Sequence, residues 1–406
     1  MAEELIDVED ARVRVLARAR VLGAEEVPLA SALDRVLAAE VVAAEDVPGF
    51  DNSAMDGYAV VAADTAGAAG RPVRLPVVDE SRAGRAAQRR LAPGAAIRIS
   101  TGAVVPAGAD AVVRLEDTSE SGGAVEIRAA VEVGRNLRRA GEDVRAGATL
   151  LARGRAIGPA ELGVLASVGA DPVPCARRPR VAVLTTGDEL RGPGESLEPG
   201  QVRDTNAYAV PAQARRTGAE VVMVEAVPDD YGVTVEALHR GLEADLLVIC
   251  GGMSVGAHDH VKPALAQLGV APEFWGLALR PGKPTWFGVH PDGTLVFGLP
   301  GNPVSAMVTF HLLARTALAA LVGTDPGATR VSATFDADYS KRPGRAHAVR
   351  CRLEVRDDGW HVRPTKEQGS HILTSMLEAQ ALALLERDRG DVRAGERVTA
   401  ELLSVA

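Results

Sequence analysis

Leu246-Leu247-Val248-Ile249-Cys250-Gly251-Gly252-Met253-Ser254-Val255-Gly256-Ala257-His258-Asp259-His260 decides how the chain is read. Leu246 to Cys250 is a short apolar run stopped by glycine, the pattern of a strand buried on both faces of a parallel sheet. Paired glycines follow, and backbone without a Cβ can approach a ligand closely. A helix starting near Val261 would turn its first N–H groups toward whatever covers that turn, and these favour an anion. A tight strand-to-helix turn with no ligand explains the same residues. Gly251 and Gly256 have P-loop spacing, but Ala257 and His258 stand where Lys and Ser/Thr are needed. No GxGxxG opens a helix, so ATP hydrolysis and dinucleotide binding are both demoted.

Working outward, Val181–Leu184 leads into Thr185-Thr186-Gly187-Asp188-Glu189-Leu190. A helix is predicted over 205–217, and a strand over Val221–Val227 that ends in Pro228-Asp229-Asp230. Thr234 is expected to cap a helix over Val235–Leu242. Beyond the opening stretch, Leu295-Val296-Phe297 runs into Gly298-Leu299-Pro300-Gly301-Asn302-Pro303-Val304-Ser305, followed by a helix through Met307, Phe310 and Leu313. This alternation predicts a parallel α/β sheet, whose ligands bind beyond the carboxyl ends of the strands. The turns at 185–189, 251–259 and 298–305 would share that edge. In Leu279-Arg280-Pro281-Gly282-Lys283-Pro284-Thr285 two cations flank a Pro-Gly pair, which suits a small oxyanion or a plain surface turn.

Toward the N-terminus, residues 7–22 and 28–40 carry helical spacing, the second opening at Pro28. Val47 to Val60 holds Pro48-Gly49-Phe50-Asp51-Asn52-Ser53-Ala54-Met55-Asp56-Gly57-Tyr58, turn-formers mixed with Phe, Met and Tyr that a solvated loop does not need. The short runs Val73–Val78, Ile97–Ser100, Ala111–Leu115 and Val125–Val131 predict a small β domain. Thr101, at a turn inside it, either bonds an oxyanion or caps the turn. Arg135, Arg138 and Arg139 beside Glu142 and Asp143 form a solvated face or a phosphate site. Residues 149–170 return to helical texture with Pro159 at a first helical position, so the β part reads as an insertion. After 331 the chain reverts to β (Val331–Phe335, Ala348–Val355, Trp360–Arg363, Leu382–Glu386, Arg397–Leu403), a small barrel.

The domains therefore fall at 1–46 with 145–177 (helical), 47–144 (inserted β), 178–327 (α/β) and 328–406 (β barrel). Of 45 basic residues only Lys262, Lys283, Lys341 and Lys366 are lysine, and the net charge of -9 argues against nucleic acid or a membrane surface as partner. Cys175, Cys250 and Cys351 are too far apart for a CxxC metal site or a disulfide framework. No HExxH or other zinc ligand set occurs. The acidic start is no signal peptide, and no apolar run approaches the ~18–20 residues of a membrane span. A cytoplasmic protein is expected.

PGFDNSAMDGYAV (48–60), RRAGEDV (138–144), TTGDEL (185–190), DTN (204–206), GGMSVGAHD (251–259), RPGKP (280–284), GLPGNPVSA (298–306) and QGSH (368–371) follow one another along the chain. Together they resemble the molybdopterin molybdenumtransferase family, which includes bacterial MoeA and the E domain of gephyrin. The resemblance implies four domains: helical, inserted β, an α/β domain of the MogA type, and a C-terminal barrel. It implies a homodimer whose active site joins one subunit's α/β domain to the partner's inserted domain. The implied reaction inserts molybdenum from molybdate into adenylylated molybdopterin and releases AMP, with Mg²⁺ assisting. A MogA-type adenylyltransferase and apo-molybdoenzymes are the implied partners. By matching position, Asp56, Thr101 and Asp143 complete the partner's site. Glu189, Asp229 and Asp259 bind the cation and assist cleavage. Gly251, Gly252, Ser254 and Gly256 lie against the pterin-phosphate. Arg280, Lys283, Pro284, Ser305, Arg350 and Ser370 resemble a molybdate-binding set, and Pro300 and Pro303 shape its turn. Two departures are noted: Gly276 and Arg280 stand where some relatives have lysine.

Overall fold

The computed structural model describes residues 5–253 and 260–403. The predicted parallel sheet is present, with strand order Glu220–Val227, Arg180–Thr186, Leu246–Cys250, Leu295–Leu299, Trp286–Val289, Ala271–Trp275. The first four strands are parallel and the last two antiparallel. All five residues of Leu246–Cys250 are buried, as a central strand covered on both faces requires. From Arg180–Thr186 the chain first visits one neighbour, Glu220–Val227, and later the other, Leu246–Cys250. The sheet's switch point, where loops diverge and leave a crevice, thus lies between Thr186 and Gly251.

The inserted β domain forms a six-stranded sheet in the order Ala111–Arg114, Gly57–Val60, Ala96–Ile99, Val73–Ser81, Ala124–Ile127, Thr118–Ser121. At the C-terminus, strands Ala346–Arg356, Gly359–Pro364, Arg330–Phe335, Arg397–Leu402 and Ala381–Leu385 pair in that order. The last pairs back onto the first, closing a five-stranded barrel. The two-residue strand Leu279–Arg280 leaves the α/β domain and adds to the barrel beside Ala346–His347. The α/β domain and the barrel are therefore stitched by backbone.

Several local expectations fail. Residues 28–40 are not a helix: a single 3₁₀ turn spans Leu29–Ser31 and Asp34 has φ +60°, which breaks any helix there. The apolar residues Val27, Ala32, Leu37 and Val41 instead join Ile157, Leu165, Val173 and Cys175 in a small core reached by loops and short ladders. The first helix ends at Arg18 rather than 22. Asp230, not Thr234, caps the helix Tyr231–Gly241: its side chain accepts the Val233 N–H, while Thr234 is buried inside. Finally, the continuous helical stretch Pro303–Leu321, with a π-turn over Phe310–Ala314, is long and apolar enough to span a bilayer by length and composition. Most of it is buried in the core, and a helix packed on all sides is apolar all round.

That helix is also the site of the main interdomain lock. Glu401 of the barrel is fully buried and accepts both its 2.8 Å bonds from Arg12 Nη2 of the N-terminal helix. His311 lies 3.1 Å and Arg330 3.3 Å from the same carboxylate, and Arg12 Nε donates to the Leu312 carbonyl. Removing the charge strands a buried guanidinium, which costs about 3–5 kcal/mol. Glu401→Gln is accordingly expected to lower stability by about that much in denaturant unfolding followed by tryptophan fluorescence; an unchanged midpoint would show that the lock is unimportant.

Candidate active site

At the carboxyl edge, Gly251 and Gly252 meet the ends of the strands that lead into the turns at 185–189 and 298–305. The φ angles of Gly251 (+102°) and Gly252 (+60°) lie in the glycine-favouring region. A Cβ on either would press on Thr186 Oγ1, at 2.9 and 3.1 Å. These glycines thus let two strand ends close on each other at the switch point. The Gly251 N–H donates to the Leu299 carbonyl, and Asp188 Oδ1 accepts the Asp229 N–H at 3.0 Å. Asp188, Glu189 and Asp229 are all exposed. Ser254, Gly256 and Asp259 lie outside the described residues. The helix that follows, Val261–Gln267, is seven residues long.

Two residues of the DTN stretch hold this edge in shape. Buried Asp204 accepts the Thr185 hydroxyl at 2.5 Å and the Ala207 N–H at 3.0 Å. Asn206 donates from Nδ2 to the Gly301 carbonyl at 2.7 Å, anchoring the turn that carries Pro300 and Pro303. Its Oδ1 is buried without a partner. Asn206 was absent from the sequence-based site. Its only signal was a polar pair placed just before a helix.

Of the residues expected to hold an oxyanion, Arg280, Ser305, Arg350 and Ser370 belong to elements that meet at the junction between the α/β domain and the barrel. Leu279 shares one core with Val304, Val308 and Ala348, so the Arg280–Pro284 turn sits between the helix starting at Pro303 and the barrel strand. Ser305 is buried on that helix, and the Val304 N–H donates to the Ser370 carbonyl at 3.3 Å. Arg350 has no exposed surface. Its Nε donates to Ser375 Oγ at 2.8 Å, and Nη2 donates to the carbonyls of Glu367 and Gly369 at 3.1 and 3.2 Å. Nη1 is buried with no partner. Gln368 ties the loop down: its Oε1 accepts the Arg350 N–H, and its Nε2 donates to the Arg350 and Thr365 carbonyls. Burial pulls the Arg350 guanidinium below its usual range, with Arg280 adding to the effect. Gln368 and Ser375, which pin Arg350, were not singled out from sequence, because a supporting polar residue carries no pattern of its own.

Lys283 is exposed and, among the described residues, in no ion pair. Gly276 has φ +87°, and a Cβ there would lie 2.7 Å from Leu5 Cδ2. The missing lysine is thus matched by local packing.

The inserted domain assembles its own cluster. Asp56 Oδ1 accepts the Thr101 N–H at 2.7 Å. Asp51 accepts from the Ala140 N–H at 2.9 Å and from Arg139 Nη1 at 2.5 Å, which together hold its carboxyl below the usual range. Arg139 is therefore spent on the loop rather than left for phosphate. The Asp143 N–H donates to the Val47 carbonyl, so PGFD and RRAGED form one surface. Among the described residues no hydrogen bond or ion pair joins residues 48–143 to residues 180–403. Among the described residues, the hydrogen bonds of Asp56, Thr101 and Asp143 given above stay on the N-terminal side of residue 180.

An inserted β domain, an α/β domain with a switch-point crevice and a C-terminal barrel together define a class of molybdopterin-handling proteins. Three family models cover the chain: "MoeA N-terminal region (domain I and II)" over 6–169, "Probable molybdopterin binding domain" over 182–320, and "MoeA C-terminal region (domain IV)" over 332–403. Molybdopterin molybdenumtransferase 2 of Mycobacterium tuberculosis is 40% identical over 92% of this chain and 93% of its own. Molybdopterin molybdenumtransferase of Haemophilus influenzae is 36% identical, over 93% of each. The crystal structure of a molybdopterin biosynthesis MoeA protein from Pyrococcus horikosii superposes with a TM-score of 0.86 at 31% identity, covering 99% of this chain and 100% of that one. The chain belongs to the molybdopterin molybdenumtransferase family.

Hydrogen bonds to a charged group are worth roughly 1.5–3 kcal/mol each, so removing the Arg350 fork should raise the molybdate concentration for half-saturation by about 10- to 150-fold. Equilibrium dialysis of molybdate against Arg350→Ala measures this; an unchanged affinity removes Arg350 from the oxyanion site.

Proposed function

We propose that this chain inserts molybdenum from molybdate into adenylylated molybdopterin, with release of AMP, in a cytoplasmic homodimer. Arg350 carries the reading: among the described residues its wholly buried guanidinium keeps one terminal nitrogen without a partner. An unpartnered buried donor costs free energy unless a ligand satisfies it, and a guanidinium fork suits a tetrahedral dianion. Arg280 and Lys283 supply further charge, the Ser305 and Ser370 hydroxyls orient the anion, and Pro284, Pro300 and Pro303 stiffen the turns. Gly251 and Gly252 stand beside the switch point, where the pterin-phosphate would lie; Ser254 and Gly256 are assigned to the same ligand by the resemblance alone.

The carboxylates at the strand ends fit Mg²⁺. Glu189 and Asp229 are exposed on neighbouring loops, and among the described residues no three His, Cys, Asp or Glu side chains form a complete cage. Mg²⁺ is characteristically held by one or two carboxylates together with water and substrate phosphate. Glu189 and Asp229, with Asp259, would hold it there. Bound, it neutralises charge on the departing phosphate. The partner subunit's inserted domain then supplies Asp56, Thr101 and Asp143. A MogA-type adenylyltransferase would deliver the substrate and apo-molybdoenzymes would take the product.

AMP release from adenylylated molybdopterin should require molybdate. Release without it would favour the earlier adenylyl-transfer step. Asp259→Asn should abolish release while the oligomer and the circular dichroism spectrum stay as they are; normal release would take Asp259 out of the mechanism. Mixing inactive Asp56→Ala with inactive Asp229→Ala chains should restore about a quarter of wild-type activity, because half of a random mixture is heterodimer with one intact site. No recovery would mean that both residues serve a site within one chain.

A further inference from the structure

A basic cleft of about 380 Å³ is lined by Arg280, Ser340, Arg342, Pro343, Arg345 and His347. No carboxylate lines it. Arg280, Arg342 and Arg345 are exposed, and among the described residues none of the three guanidiniums makes an ion pair or a side-chain hydrogen bond. This contrasts with Arg352, Arg356, Arg389 and Arg393 elsewhere on the same barrel, each held by a carboxylate. In a chain of net charge -9, three uncompensated arginines around one concavity concentrate a local positive field.

The floor of the cleft shows that field. His347 is buried and bonded through Nδ1 to the Tyr339 hydroxyl at 3.2 Å, with the two rings edge to face. Burial, then the charges of Arg280, Lys341 and Arg345, push its pKa down to about 4. Lys341 is turned away: its ammonium donates to the Arg387 and Arg389 carbonyls, and the Ser340 hydroxyl and Lys341 N–H both donate to Asp391. The open donors facing the cleft are therefore the three guanidiniums over a neutral imidazole. The backbone pairing of Leu279–Arg280 with Ala346–His347 fixes Arg280 between this cleft and the Arg350 pocket. The Tyr339 hydroxyl lies within the field of both Arg280 and Arg350.

We propose that this cleft is a second binding site for an inorganic tetrahedral dianion of the molybdate class, next to the Arg350 pocket and sharing Arg280 with it. Its role as a waiting position for molybdate rests on the reading of the Arg350 pocket given above; its capacity to bind the anion does not. Guanidinium forks match any tetrahedral oxyanion, so inorganic phosphate competes for it. Occupancy brings negative charge against His347 and favours its protonated form.

The test titrates molybdate alone into the full-length protein and counts bound molybdenum per chain by equilibrium dialysis. Wild type is expected to bind two. Arg342→Ala/Arg345→Ala, a change confined to exposed side chains, is expected to bind one. Arg350→Ala is also expected to bind one, which inorganic phosphate displaces. In wild type the His347 imidazole, followed by NMR, is expected to titrate near pH 4 without the anion and higher with it. A single molybdate lost only in Arg350→Ala, or a His347 titration indifferent to molybdate, overturns the second site and leaves the first standing. A single molybdate lost only in Arg342→Ala/Arg345→Ala overturns the Arg350 pocket instead. Binding unaffected by either variant, or phosphate failing to displace the anion retained by Arg350→Ala, overturns the cleft.

Discussion

Burying a guanidinium takes five N–H donors out of water, and each must be satisfied or the fold is weakened. Arg350 is buried completely at the seam between the α/β domain and the barrel, and the protein satisfies all but one of its nitrogens. The QGSH loop exists in its observed form to do this. Its carbonyls face inward onto Arg350, Gln368 clamps both ends, and Ser375 closes the ring. The remaining nitrogen has no partner among the described residues. The proposed anion site follows from that arrangement: a buried, positive corner beside the Arg280–Pro284 turn.

The architecture around this corner serves to position it. Pairing of Leu279–Arg280 with Ala346–His347 fixes the cation turn against the barrel, and the buried Arg12–Glu401 pair fixes the barrel against the long apolar helix. That helix begins at Pro303 and buries Ser305 in its first turn. Motion of the barrel relative to the helix would therefore move Arg350 relative to Ser305. A buried ion pair is a weak source of net stability, but it specifies one docking geometry, and a two-part anion site needs one. The switch-point crevice is built separately, from close backbone packing at Gly251 and Gly252 against Thr186, and it meets the corner through the Leu299–Ser305 turn.

How far the sequence could be read follows from which residues have a pattern. The four parallel strands of the α/β domain and the barrel strands were legible within a residue or two, because buried strands are apolar runs bounded by turn residues, whereas the antiparallel strands Ala271–Trp275 and Trp286–Val289 were not read from the sequence. The span 28–40 was misread because its apolar spacing suits a helix, while Asp34 in the left-handed region, invisible in composition, redirects the chain. The apolar length of Pro303–Leu321 was missed for the opposite reason: its polar residues, among them His311 and Arg315, interrupt the run but face the Glu401 cluster. Site residues with direct chemistry, such as Arg350 and Ser305, could be named by position. Those that only hold them, such as Asn206, Gln368 and Ser375, became visible only through their hydrogen bonds.

Anomalous diffraction at the molybdenum edge, from crystals of the protein soaked in molybdate, tests the central claim most directly. The account predicts a molybdenum peak at the seam, with an oxygen within hydrogen-bond reach of Arg350 Nη1 and with Ser305 and Ser370 beside it. A seam in which Arg350 Nη1 is met by water or protein, with molybdenum bound only elsewhere, would contradict it.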